Sequence, residues 1–277
     1  MRERSRLWKN AKRKAGPTRP GLAIIGLFDV LGFENQFTKN GLKEMARKYR
    51  LLIAAAKQAA DQPDVVTALM PDELPIAPGP GEGLSGALVG PTKIDYAYFS
   101  DTILLWSPYH PLYVRPFFDA CGNMIQESLE VGLPLRGAIS IGDVLFNREK
   151  GVFLGAALIE AARLEKDQRW IGATLSPTFL LKRPFNRVYA YHTIPYAAHF
   201  KDPGDRKKLA LVLDWPRIFR EQKVADFARK VSALDVDPRF SEYYSNTLAF
   251  IRYSKKYANW GKNHKKFLSK YPYVDEI

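Results

Sequence analysis

The sequence predicts an α+β fold in which helices pack on a mostly antiparallel sheet. Two observations carry that expectation. Short aliphatic runs of strand length alternate with longer segments whose apolar residues recur at helical spacing. Their order is strand, helix, hairpin, helix, strand, helix, and the hairpin brings antiparallel neighbours into the sheet. The chain has 277 residues, 46% hydrophobic and 13% aromatic, enough for one large core domain with an appended piece.

The elements follow in order. "LAIIGLFDV" (22–30) is a short, nearly continuous aliphatic run and reads as a buried strand ending on Asp29 and Val30. "FTKNGLKEMARKYRLLIAAAKQAA" (37–60) has helical spacing. The stretch 61–93 is dense in Pro and Gly and reads as a long loop or insertion. "IDYAYF" and "TILLWS" flank "SD" (100–101), which predicts a hairpin with Asp101 at its turn. "PLYVRPFFDACGNMIQESLEVG" reads as a helix that starts after Pro116. "PLRGAISIGDVLF" (134–146) reads as a strand interrupted by glycines, and "GAALIEAARLEKDQ" (155–168) as a helix with a small-residue face. Beyond 185, "RVYAYHTI" and "KLALVLDW" resemble strands, and "FREQKVADFARKVSAL" and "EYYSNTLAFIRYSKKYANW" resemble helices. These either extend the core sheet or build a C-terminal subdomain. The expected organisation is a basic arm (1–20), a core (21–185) carrying the 61–93 insertion, and a C-terminal extension (186–277) that is basic at its end.

Composition excludes several classes. No apolar run is long enough to span a membrane, and the basic N-terminus lacks the apolar stretch of a secretory signal. The single Cys121 excludes an intramolecular disulfide and a multi-cysteine zinc site. A cytoplasmic setting is expected. The formal charge of +13 attracts phosphates. Much of it lies at the two ends, and in the C-terminal one basic residues interleave with Tyr and Trp, so nucleic-acid binding through the basic ends stays open as an alternative.

The chemistry-bearing residues are carboxylates at strand ends. Asp29 and Asp101 are far apart in sequence, yet each ends or turns a strand. If those strands are neighbours, two acids meet, and they repel unless a cation joins them or one is protonated. Hard oxygen ligands suit Mg²⁺ or Mn²⁺, which can activate a hydroxyl and hold a triphosphate for in-line displacement. After Asp29 the chain turns through Gly32 into a helix, where backbone N–H groups can cradle phosphate. Neither G-x-G-x-x-G nor G-x-x-x-x-G-K-[ST] is present. Arg163, inside the small-residue helix, reads either as a surface ion pair with Glu160 or Asp167 or as an arginine offered to charge developing on phosphorus. Arg136 reads as a triphosphate contact or a strand-end ion pair. Asp143 reads as a turn residue, and His110, His192, His199 and His264 share no metal-ligand spacing. Ser176 before Pro177 reads as a helix cap, not a nucleophile.

"FDVLGF", "FSDTI", "LRGAISIGDV" and "GAALIEAARLE", in this order, resemble the motifs of class III nucleotidyl cyclases, the adenylate and guanylate cyclase catalytic domain, over about residues 22–180. The resemblance implies a ferredoxin-like, palm-like core and an enzyme that converts a nucleoside triphosphate to a 3′,5′-cyclic nucleotide and pyrophosphate. It implies two Mg²⁺ or Mn²⁺ per site on Asp29 and Asp101, with the Val30 carbonyl as an extra ligand. Gly32 and Phe33 N–H groups would touch phosphate, and Arg163 would stabilise the transition state. Family members work as head-to-tail homodimers with shared sites, so Arg163 would face the aspartates of the partner.

The departures are specific. Ile159 stands where the family has a ribose-orienting asparagine, and Ser100 where it has a glycine. The two base-selecting positions fall on Ala97 and Val152, neither of which can read a base edge. Tyr96 and Tyr98 are further base-pocket candidates. Non-standard base pockets of this kind resemble those of bacterial Pycsar-type pyrimidine cyclases of antiphage defence. The alternatives are a cyclase-fold protein that binds nucleotide without turnover, and a nucleic-acid-binding protein on a palm-like core.

Overall fold

Strand β1 (Gly21–Val30) lies inside the sheet, paired antiparallel with β3 (Thr102–Pro108) on one side and β4 (Leu135–Asn147) on the other. Its aliphatic run follows from burial on both faces. Ile24, Phe28 and Val30 join one core cluster, while Ala23, Ile25 and Leu27 join the cluster on the opposite face. The structure, a computed structural model, describes residues 21–60, 94–148, 150–182, 192–197, 199–201, 209–217, 224–234 and 237–256. The expected basic arm, the 61–93 insertion, His264 and the basic C-terminal end lie outside the described residues.

Helix α1 (Phe33–Ala60) follows β1 directly and is broken at Gly41, whose φ of 73° and ψ of 168° are not helical. The predicted helix (37–60) thus begins four residues earlier and contains a break that its apolar spacing does not reveal. The hairpin β2 (Asp95–Phe99) and β3 is joined by Ser100 and Asp101, as the sequence predicts. Ser100 has a φ of 53°, the one left-handed non-glycine backbone among the described residues.

Helix α2 (Pro111–Glu130) starts ahead of Pro116 rather than after it. Proline there costs one helical hydrogen bond. Burial of Val114, Phe117 and Phe118 on the same helix outweighs that loss. Strand β4 then crosses the sheet beside β1. Its Gly137 lies opposite Phe28, whose ring occupies the space a Cβ would fill, at 2.3 Å. That close approach explains the glycine interruption in the predicted strand. Asp143, expected in a turn, sits exposed within β4. The long β4 accommodates it because its second half pairs only with the short β5 (Val152–Gly155) and with the start of β1.

Helix α3 (Ala156–Lys166) packs Ala157 and Ala161 against the β1–β4 face. Strand β6 (Gly172–Leu175) runs parallel to β4, and β8 (Leu209–Leu213) and β7 (Thr193–Ala197) continue the sheet, with α4 (Pro177–Lys182) following β6. The order is β2-β3-β1-β4-β6-β8-β7, with β5 off β4. The first four strands and their helices have the split β-α-β connectivity of an α+β fold. Strands of the C-terminal segment therefore extend the core sheet. Helix α5 (Val224–Ala233), a 3₁₀ turn (Pro238–Phe240) and α6 (Ser241–Lys256) follow. Helix α6 docks through a Trp170–Phe250 ring contact at 4.6 Å and a Thr247 hydroxyl that accepts from the Ile171 N–H. No described helix is long and apolar enough to cross a membrane.

Candidate active site

The pairing of β1 with β3 brings Asp29 and Asp101 together. Asp29 lies opposite Thr102, and the Val30 N–H donates to the Asp101 carbonyl at 3.0 Å. Asp29 falls in alternation with Leu27, on the face that α3 covers. Its carboxyl is pushed up to about 7, first by burial, then by the nearby charge of Glu165, with Asp101 adding to the rise and Arg136 opposing it. Asp101 is half-buried, and its carboxylate makes no hydrogen bond or ion pair among the described residues. The Val30 side chain is buried in the core, so only its backbone is on offer.

The turn between β1 and α1 is built for a left-handed residue. Gly32 has a φ of 68°. The first i→i−4 bond of α1 runs from Gln36 N–H to the Gly32 carbonyl at 2.9 Å. The N–H groups of Phe33 and its neighbours precede it and have no intrahelical acceptor. Phe240, from the C-terminal segment, packs behind this turn, 3.5 Å from where a Gly32 Cβ would lie.

Arg136 occupies a different position from a phosphate ligand. Its side chain is buried, with Nε donating to Glu165 at 2.5 Å and Nη1 to the Gln168 carbonyl at 3.0 Å. Nη2 reaches Asp29 Oδ2 at 3.5 Å, and Tyr243 of α6 supplies a hydroxyl and a ring face at 5.8 Å. These donors are spent inside the protein, so the ion-pair alternative describes Arg136. Glu165, which sequence reasoning left without a role, is 3% exposed, and burial raises its carboxyl against the pull of Arg136. A signal for it existed: Ala157, Ala161 and Glu165 are spaced i, i+4, i+8, so the acid shares the buried stripe and requires a cation. Gln168 completes the network, donating to the Gly137 carbonyl and accepting from Trp170 and Thr174.

Arg163 lies on the outward stripe of α3 with Ile159, which is 55% exposed. Among the described residues it makes no ion pair; Glu160 is engaged by Ser140 and Thr178 instead. Arg163, Ile159 and Leu164 line an open cleft of about 800 Å³. The base-pocket candidates divide. Ala97 is buried in the α3-face cluster, while Tyr96 packs against the opposite cluster and carries Arg148 over its ring at 4.8 Å. Tyr98 stacks edge-on against Tyr49 of α1 at 6.3 Å. Val152 is half-buried on β5, and its neighbour Phe153 reaches Phe99 at 5.2 Å. Strand alternation therefore sends the two tyrosines and Ala97 to different faces.

Two carboxylates with a backbone carbonyl form a donor set of hard oxygens, of the type Mg²⁺ and Mn²⁺ accept. Among the described residues no three His, Cys, Asp or Glu converge on a metal-sized site. The protein's share of a coordination shell is small, and water and phosphate oxygens would complete it. Burial, and after it the charges of Glu165 and Asp101, raise the Asp29 carboxyl, and a cation at this site would offset that penalty on its ionised form.

No protein-family model and no curated protein matches the sequence. Among solved structures, two of a bacterial light-regulated adenylyl cyclase are each 12% identical over 86% of this chain, with TM-scores of 0.39 and 0.40. The chain spans 57% of the length of each.

Proposed function

We propose that this protein is a metal-dependent nucleotide cyclase that converts a nucleoside triphosphate to a 3′,5′-cyclic nucleotide and pyrophosphate. The observation that carries the reading is the meeting of Asp29 and Asp101 beside a left-handed helix-entry turn. Asp29 and Asp101, with the Val30 carbonyl, would hold divalent cations. Bound there, such ions supply Lewis acidity to the ribose hydroxyl and the triphosphate. The Gly32 and Phe33 N–H groups bind phosphate oxygens at the positive end of α1. The substrate's O3′ bonds to the α-phosphorus as the bond from that phosphorus to the bridging oxygen breaks. The products are the cyclic diester, pyrophosphate and the proton released from O3′. Arg163 offers its guanidinium to the charge on the transferring phosphorus. Its outward position on α3 suits donation to the site of a second copy, in a head-to-tail homodimer.

The proposed base follows from what the family's base-reading positions lack. Ala97 and Val152 supply no side-chain donor or acceptor, so these positions give no selection for a purine and leave a pyrimidine substrate open. A cyclic pyrimidine nucleotide acting in antiphage signalling, in the cytoplasm, is the version of this reading we favour. The second reading, nucleotide binding without turnover, is favoured by Ile159 alone, which cannot orient a ribose hydroxyl.

Incubation with each nucleoside triphosphate and Mn²⁺, followed by mass spectrometry, tests the proposal. A cyclic product from at least one substrate, lost in Arg163→Ala, is expected. Nucleotide bound but unchanged in all cases would favour the second reading. Mixing Asp29→Asn with Arg163→Ala protomers restores part of the activity if sites are shared; no recovery would remove the dimer from the proposal.

A further inference from the structure

The hydroxyl of Tyr49 is buried and, among the described residues, has no hydrogen-bond partner. Buried hydroxyls are rarely left this way, so the oxygen needs a reason to be there. The ring does not supply one. It is wedged edge-on between Phe33, at 6.0 Å, and Tyr98, at 6.3 Å, and phenylalanine would make both contacts. Those two neighbours belong to the two halves of the candidate site. Phe33 opens α1 directly after Gly32, and Tyr98 lies three residues before Asp101 on the hairpin. Asp101 is itself without a side-chain partner among the described residues. An unpaired donor thus stands between the phosphate turn and an unpaired acceptor. Burial, then the Asp101 charge, pushes the phenol up to about 12, which keeps it a neutral donor at physiological pH.

We infer that Tyr49 is a positioning residue, whose hydroxyl donates a hydrogen bond to the Asp101 carboxylate when the site binds a divalent cation, and so fixes which carboxylate oxygen faces the ion. The inference rests on the cation site proposed above. The Tyr49 hydroxyl has no acceptor among the described residues. Asp101 would hold the cation through one carboxylate oxygen, and the Tyr49 hydroxyl would donate to the other and keep that orientation. Outer-sphere partners of this kind set ligand geometry and affinity.

The test uses Mn²⁺ itself as the probe, titrated into the full chain and followed by electron paramagnetic resonance, with metal-free melting measured in parallel. Tyr49→Phe is expected to melt at or above the wild-type temperature without metal, because an unpaired hydroxyl has been removed. It is expected to bind Mn²⁺ about ten-fold more weakly. In an Asp101→Asn background, Tyr49→Phe is expected to add no further loss. Wild-type affinity in Tyr49→Phe would overturn the inference while leaving the cation site intact. So would a lower metal-free melting temperature, which would mean that the hydroxyl is already bonded without metal. A wild-type chain that takes up no Mn²⁺ would overturn the site reading first, and this inference with it.

Discussion

Two polar clusters lie at the same end of this sheet, and they are built in opposite ways. Around Arg136, every neighbour is matched: Glu165, the Gln168 carbonyl and Tyr243 take its donors, and Gln168 in turn satisfies Gly137, Trp170 and Thr174. Around Asp101, the groups are unmatched. Asp101 and the Tyr49 hydroxyl lack partners among the described residues, and Asp29 is pushed towards neutrality. A satisfied buried network holds a fold together, whereas unsatisfied groups at a strand edge wait for something from outside. The difference separates the residues that build the site from those that serve it.

The comparison is broken most severely by removing its structural side. Arg136→Ala leaves Glu165 buried without its cation, and a loss of about 3–5 kcal/mol in unfolding free energy is expected in a denaturant titration. A loss below 1 kcal/mol would mean the network is not what ties α3, β4 and α6 together. Asp101→Asn is the contrasting change. Its carboxylate has nothing to lose in the metal-free fold, so stability should shift by less than about 0.5 kcal/mol. Mn²⁺ binding should nevertheless weaken measurably, and turnover should be abolished. Equal stability costs for the two variants would dissolve the distinction.

Asp29 stands between the clusters and adds a pH dependence. Its carboxyl titrates near 7 in the fold against an ordinary 3.8. Between those values the folded protein holds the proton more tightly than the unfolded chain, so stability falls as pH rises through that window. Asp29→Asn removes the penalty. In chelator-treated protein its melting advantage over wild type should be absent near pH 4, grow through pH 7 and then level off. Wild type should regain ground on adding Mn²⁺, and Asp29→Asn should not. An advantage that does not vary with pH would show that burial and the neighbouring charges do not hold Asp29 protonated in the fold. The smallest effect is at Ser100. Glycine relieves left-handed strain of about 1 kcal/mol but frees the unfolded chain by a similar amount, so Ser100→Gly should be nearly neutral. A large loss of turnover in that variant would give the serine hydroxyl a role that its position alone does not suggest.

Legibility in the sequence follows the same division. Periodicity located β1, the Asp101 hairpin and α3, because each is decided by local pattern and burial. The meeting of Asp29 with Asp101 needed strand order as well, and the motif order pointed to it. Arg136 was ambiguous because its fate depends on Glu165, from a helix that folds back across the sheet. Helical spacing places Tyr49 towards the interior but says nothing of whether its hydroxyl finds a partner. The start of α2 was misread because tertiary packing overrides the local penalty at Pro116. The packing of Phe240 and Tyr243 behind the site had no local signal at all, since those contacts join residues roughly a hundred or more positions apart.

The most direct test of the central claim follows the phosphorus. Wild type and Asp101→Asn are incubated with each nucleoside triphosphate and Mg²⁺ and observed by ³¹P nuclear magnetic resonance. The account predicts that, for at least one substrate, the triphosphate signals of the wild-type reaction give way to pyrophosphate and a cyclic phosphodiester in equal amounts, while Asp101→Asn leaves the triphosphate intact. Release of inorganic phosphate and a nucleoside diphosphate instead, or equal rates in the two proteins, would contradict it.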